Sequence, residues 1–98
     1  MKDEDHHTII ELFDALAQLD NKNEAMRFIL DLCTPQEIKA LKERWKVAQL
    51  LDQNKFSYRE IHAITGASLT TIGRVARFLR EEHNQGYQLM LDKFRSLK

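Results

Sequence analysis

Three observations predict an all-α fold of six helices. Breakers are scarce, with three glycines and one proline among 98 residues. Apolar residues recur at intervals of three and four rather than alternating. Helix starts are marked by cap residues at Thr34-Pro35-Glu37, at Ser57-Glu60 and at Ser68.

The first helix is expected over residues 7–19. There Ile9, Ile10, Leu12, Phe13, Leu16, Ala17 and Leu19 cover more than one face, which is too apolar for a helix lying alone on a surface. His6 and His7, at its start, are expected to belong to a frayed terminus. Asp20, Asn21, Lys22 and Asn23 form a polar join, and a short second helix over residues 24–32 turns Met26, Phe28, Ile29 and Leu32 inward. Thr34 then offers an N-cap, Pro35 the pre-set φ of a first helical residue, and Glu37 the acidic partner of a capping box. The third helix is expected to be the longest, with Ile38, Leu41, Trp45, Ala48 and Leu51 on one stripe, Val47 and Leu50 beside it, and an end at Asp52, Gln53 and Asn54.

Residues 57–80 carry two helix starts on either side of one glycine-centred turn. Ser57 and Glu60 form a capping box, so the fourth helix begins at Tyr58. It stops near Thr65, because Gly66 supplies the positive φ of a sharp exit and Ser68 the next N-cap. The fifth helix starts at Leu69. Its stripe Leu69, Ile72, Val75, Ala76 and Leu79 is expected to pack on Ile61 and Ile64, leaving Thr70, Thr71, Gly73, Arg74, Arg77 and Arg80 on the far side. Small hydroxyls and arginines with no carboxylate among them suit a helix that enters a DNA groove, since short side chains allow close approach and guanidinium groups bind phosphates and guanine edges. The pair reads as a helix-turn-helix. His83, Asn84, Gln85 and Gly86 then break the chain, and a last helix places Tyr87, Met90, Leu91 and Phe94 on one side.

The length predicts a single domain over residues 1–98 with a modest core. Helices this apolar in so short a chain point to a homodimer whose second copy covers the leftover faces. The alternative is a compact monomer in which the first, second and last helices cover one another. No long apolar run suggests a membrane span, the start MKDEDHHT is unlike a secretory leader, and the single cysteine, Cys33, cannot pair internally, so a cytoplasmic setting is expected. Net charge is zero, but it is unevenly spread. Residues 1–32 hold three basic and eight acidic groups, whereas residues 54–80 hold five basic groups and one acidic. The positive charge therefore lies on the proposed reading unit. His6, His7, Cys33, His62 and His83 lack the spacing of a metal site, and no phosphate loop, nucleophile elbow or paired carboxylates point to catalysis, so neither an enzyme nor a cofactor is expected.

From residue 32 to about residue 91 the chain resembles the Trp repressor superfamily. The segments that carry the resemblance are LCTPQEIKALKERWKVAQLL and SYREIHAITGASLTTIGRVARFL, with the TPxE start, the arginine of KER, the SxRE box and the TGAS turn at one register. The resemblance implies a Trp-repressor-like intertwined homodimer of six-helix chains, in which the first, third and last helices interlock and the fourth and fifth project as DNA-reading heads. It implies that the family's guanine- and phosphate-contacting arginine falls on Arg59 and its phosphate-contacting lysine on His62. The recognition positions fall on Leu69, Thr70, Thr71 and Gly73 behind Ser68, with Arg77 as a further DNA-facing group. Double-stranded DNA with a palindromic operator is the partner so implied.

The same resemblance matches the two arginines that enclose the family's indole corepressor to Arg44 and Arg74. Two neighbours depart from the family pattern. Val75 stands where the family has a glycine that leaves room for the ligand, and Phe78 where it has a serine near the ligand's amino group. Both add bulk, and an ammonium without its hydroxyl partner costs roughly 1–3 kcal/mol. The substitutions argue against L-tryptophan as effector and place the chain nearer the Trp-repressor-related subgroup than the tryptophan sensors. Either Phe78 fills the cavity itself or a different effector is used. The expected function is sequence-specific transcriptional regulation, with repression by promoter occlusion. The competing class is a helical protein–protein interaction module that keeps the helix-turn-helix shape without DNA contact.

Overall fold

The computed structural model describes residues 3–97 and contains, in order, α1 (Asp3–Ala17), α2 (Lys22–Leu32), α3 (Pro35–Asp52), α4 (Tyr58–Thr65), α5 (Leu69–Arg80) and α6 (Gly86–Ser96). No strand occurs among the described residues. The helices fall into two compact units, Met1–Pro35 and Gln36–Lys98.

In the first unit, α1 begins earlier than its apolar pattern suggests. His6 and His7 lie inside the helix rather than in a frayed end, and His7 Nε2 meets Glu11 Oε1 at 2.9 Å, one turn on. The helix also ends earlier, at Ala17, where Gln18 and Leu19 donate to Ala15 and Leu16 in tight turns. Helix α2 starts at Lys22 because Asn21 is its N-cap: its side chain accepts from Glu24 N at 2.9 Å, while Glu24 Oε1 accepts from Asp20 N at 3.0 Å. The join expected to be merely polar is thus a cap. The expected inward face of α2 does not form. Phe28 and Ile29 are half-buried, Met26 and Leu32 are exposed, and no described residue of α1 or α2 is buried.

The second unit holds the core. Val47, Ala48, Leu50 and Leu51 of α3 pack with Ile61, with Ala67 of the turn, with Ile72, Val75, Ala76 and Leu79 of α5, and with Leu91 of α6. Trp45, Phe56 and Tyr87 close its edges. No polar or charged residue is buried among those described. The stripe of α3 is buried only in its second half, and Leu41 is exposed. Ile64 and Leu69, expected to pack between α4 and α5, are 53% and 54% exposed. Both flank the turn, and the residue buried there is Ala67 rather than either of them.

The ends of α3 and α6 are tied by Arg95, which pairs with Asp52 and Asp92. Before α6, Gln85 rather than a glycine takes the left-handed backbone, with φ 56°, and Gly86 becomes the first helical residue. Among the described residues, no helix is long and apolar enough to cross a membrane.

Helix α4 starts as its sequence predicts. Ser57 Oγ accepts from Glu60 N at 3.1 Å, and Glu60 Oε1 accepts from Ser57 N at 2.9 Å. Those bonds favour the carboxylate, so the Glu60 carboxyl is held below its ordinary value, first by the backbone bond from Ser57. A lowered folded value stabilises the fold above the unfolded pKa of about 4.3, and that contribution is lost as pH falls through the folded value. Thermal melts of wild type and Glu60→Gln should therefore converge below about pH 4 and separate above it, and Ser57→Ala should cost about 1 kcal/mol at neutral pH.

Candidate nucleic-acid interface

The turn between α4 and α5 is held by four short bonds. Gly66, at φ 77°, donates its N–H to His62 O at 2.8 Å, which ends α4 in a left-handed cap. Thr65 Oγ1 donates to Ile61 O at 2.7 Å and accepts from Ala67 N at 3.1 Å. His62 Nδ1 donates to Ala67 O at 2.7 Å. Ala67 itself is buried in the core, so the turn is pinned by hydrogen bonds above and by packing below.

This turn sets the direction of α5. Ser68 Oγ accepts from Thr71 N at 3.1 Å as the N-cap and lies 3.0 Å from Thr71 Oγ1. With Ile72, Val75, Ala76 and Leu79 buried, the helix turns the opposite side to solvent. That side carries Thr70, Gly73, Arg74 and Arg77, with Leu69 at the exposed start. Arg59, in the first turn of α4, is also exposed. No carboxylate lies on α5 itself; Glu81 and Glu82 follow its end, and Glu82 approaches Arg77 Nε at 3.5 Å.

Gly73 is the most informative position on this side. Inside a helix, glycine costs about 1 kcal/mol relative to alanine. A Cβ built at Gly73 would meet nothing within 4 Å, so nothing inside the protomer needs the small residue. The empty space above it is where another backbone could come close.

Of the residues tied by resemblance to an effector, Arg44 and Phe78 are half-buried, Arg74 is exposed, and Val75 is fully in the core. The Arg74 guanidinium lies over the Phe78 ring at 4.2 Å from Cζ to centroid. His62, expected to face a phosphate, uses Nδ1 to hold the turn. Sequence reasoning gave Thr65 only as the end of α4 and did not single out Glu82. Thr65 reads as an ordinary last helical residue, and only its two bonds within the turn reveal it.

Comparison with known proteins finds relatives in sequence and in fold. A family model described as Trp repressor protein matches residues 7–95. The uncharacterized protein YerC of Bacillus subtilis (strain 168) is 40% identical over 83 residues, which is 85% of this chain and 78% of YerC. A Staphylococcus aureus crystal structure, described as that of a candidate Trp repressor, matches with TM-score 0.83 and 38% identity over 97% of this chain and 95% of the other. A TrpR-like protein from Eubacterium eligens ATCC 27750 matches with TM-score 0.82 and 36% identity over 94% and 93% of the two chains.

Because Gly73 is unconstrained within the chain, Gly73→Ala should raise stability by about 0.5–1 kcal/mol, measured by urea denaturation. A loss of stability would mean that the helix needs the glycine for its own packing.

Proposed function

We propose a function from one premise, that this chain belongs to the Trp repressor protein family. It is a sequence-specific DNA-binding regulator of transcription that acts as a homodimer through the helix-turn-helix of residues 57–80. The observation that carries the reading is the open side of α5, where arginines and small residues surround a helical glycine with free space above it. Base edges are met by Leu69, Thr70 and Thr71, with close backbone approach at Gly73. The exposed Leu69 side chain suits a thymine methyl, and the hydroxyls suit water-mediated contacts. Arg59, Arg77 and the cap at Ser68 face the phosphates and fix the register, with His62 beside them.

Dimerisation is supported by the apolar side chains left open on α1, α2 and α6. Phe13 and Leu30 are 56% and 59% exposed, and Leu89, Met90 and Phe94 are exposed along the last helix, with Leu97 exposed just past its end. Surfaces of this kind mark association sites. Two reading units about one helical repeat apart read a palindrome far better than one, and a small dimer acts most simply by occluding a promoter. L-tryptophan is not the effector on this reading. The Arg74 guanidinium already lies against the chain's own Phe78 ring.

Selection of bound fragments from genomic DNA should return a palindrome with half-sites about ten base pairs apart. Affinity for that site should fall steeply with salt. Arg59→Ala should relax sequence preference, whereas Arg77→Ala should weaken all sequences evenly and reduce the salt slope by about 1. Gly73→Ala, stabilising by itself, should weaken DNA binding. If no duplex is enriched at moderate salt, the helical interaction module becomes the better reading. Sedimentation should give twice the single-chain mass, and a single-chain mass at high concentration would overturn the dimer. Calorimetric titration with L-tryptophan should give no heat, and micromolar binding would overturn its exclusion.

A further inference from the structure

Phe78 carries two cations on one ring. The Arg74 Cζ lies 4.2 Å from the ring centroid and the Arg77 Cζ 5.1 Å. Arg74 is one helical turn before Phe78 and therefore on the same side of α5, and Arg77 is its neighbour in the chain. The ring is half-buried and borders an apolar hollow of about 350 Å³ that it shares with Trp45, Tyr87 and Met90. Both guanidinium groups lie over this ring. The negative face of a phenyl group attracts a guanidinium, which offsets the repulsion between the two cations. Glu82, 3.5 Å from Arg77 Nε, offsets more of it.

Long arginine side chains lose much rotamer freedom when they bind a phosphate. Guanidinium groups already settled on a ring lose less. We propose that Phe78 is a positioning residue for DNA binding: its ring is the platform that orders Arg74 and Arg77 for the phosphate backbone without a bound small molecule. The inference rests on the DNA-binding reading above and adds Arg74 to the backbone-facing set.

The ring can be tested in the free protein first. The ε-protons of Arg74 and Arg77 should show ring-current shifts in NMR spectra of the wild-type chain, and unshifted resonances for both would overturn the platform. On the selected operator, Phe78→Leu, which keeps apolar bulk but has no π face, should lower affinity about three- to tenfold, while Phe78→Tyr should stay within about twofold. In an Arg74→Ala/Arg77→Ala background, Phe78→Leu should have no further effect. A Phe78→Leu chain that binds like wild type, or a loss that persists in the double arginine background, would overturn the inference. A wild-type chain that selects no duplex at all defeats the DNA reading instead, and the arginine ε-protons still decide the platform.

Discussion

Thr65, Gly66 and Ala67 determine where α5 points, and the open side of that helix has meaning only if its direction is set. A turn of three residues between two helices has few backbone bonds of its own. Here the deficit is met from both sides: Thr65 bridges the end of α4 to Ala67, His62 reaches forward to the Ala67 carbonyl, and Gly66 accepts the left-handed backbone that returns the chain. The Ala67 methyl is sealed in the core, where a larger side chain would meet packed neighbours. The turn is therefore rigid on two counts, hydrogen bonding and volume.

Rigidity of the turn is transmitted through an entirely apolar interior. With no polar group buried among the described residues, the core of the second unit gains from burial without the desolvation cost of unmatched donors. All the polar specialisation lies outside it. Helix α5 shows the division within twelve residues: its buried stripe joins the core, and the remainder is threonine, glycine, arginine, one aromatic ring and the exposed Leu69 at its start.

The legible parts of the fold were those governed by local chemistry. The capping box at Ser57 and Glu60, the left-handed Gly66 and the cap at Ser68 locate α4 and α5 from neighbouring residues alone, and the structure has both helices at those bounds. Where the start signal was weaker, the boundary moved. In the sequence Asn21 is one polar residue among four, although its side chain caps α2. At the last helix, the break over His83, Asn84, Gln85 and Gly86 is legible but not which residue turns the chain: Gln85 takes the positive φ, as polar side chains occasionally do. Burial was legible only where neighbours were implied by the pattern: Ile61 and Ile72 are sealed, whereas Ile64 and Leu69 carry the same apolar spacing and remain open, with Ala67 taking the buried place between them. For the interface, residue types were readable, but the partnerships of Arg74, Arg77, Phe78 and Glu82 needed coordinates.

The bond from His62 to Ala67 has an electronic consequence. A carbonyl oxygen can only accept, so the ring must keep its hydrogen on Nδ1, and the fold thereby selects one tautomer. A neutral imidazole so fixed has only a lone pair left at Nε2, which repels an anion that a lysine ammonium would attract. Only the imidazolium, with a second hydrogen on Nε2, has a donor left for a phosphate oxygen.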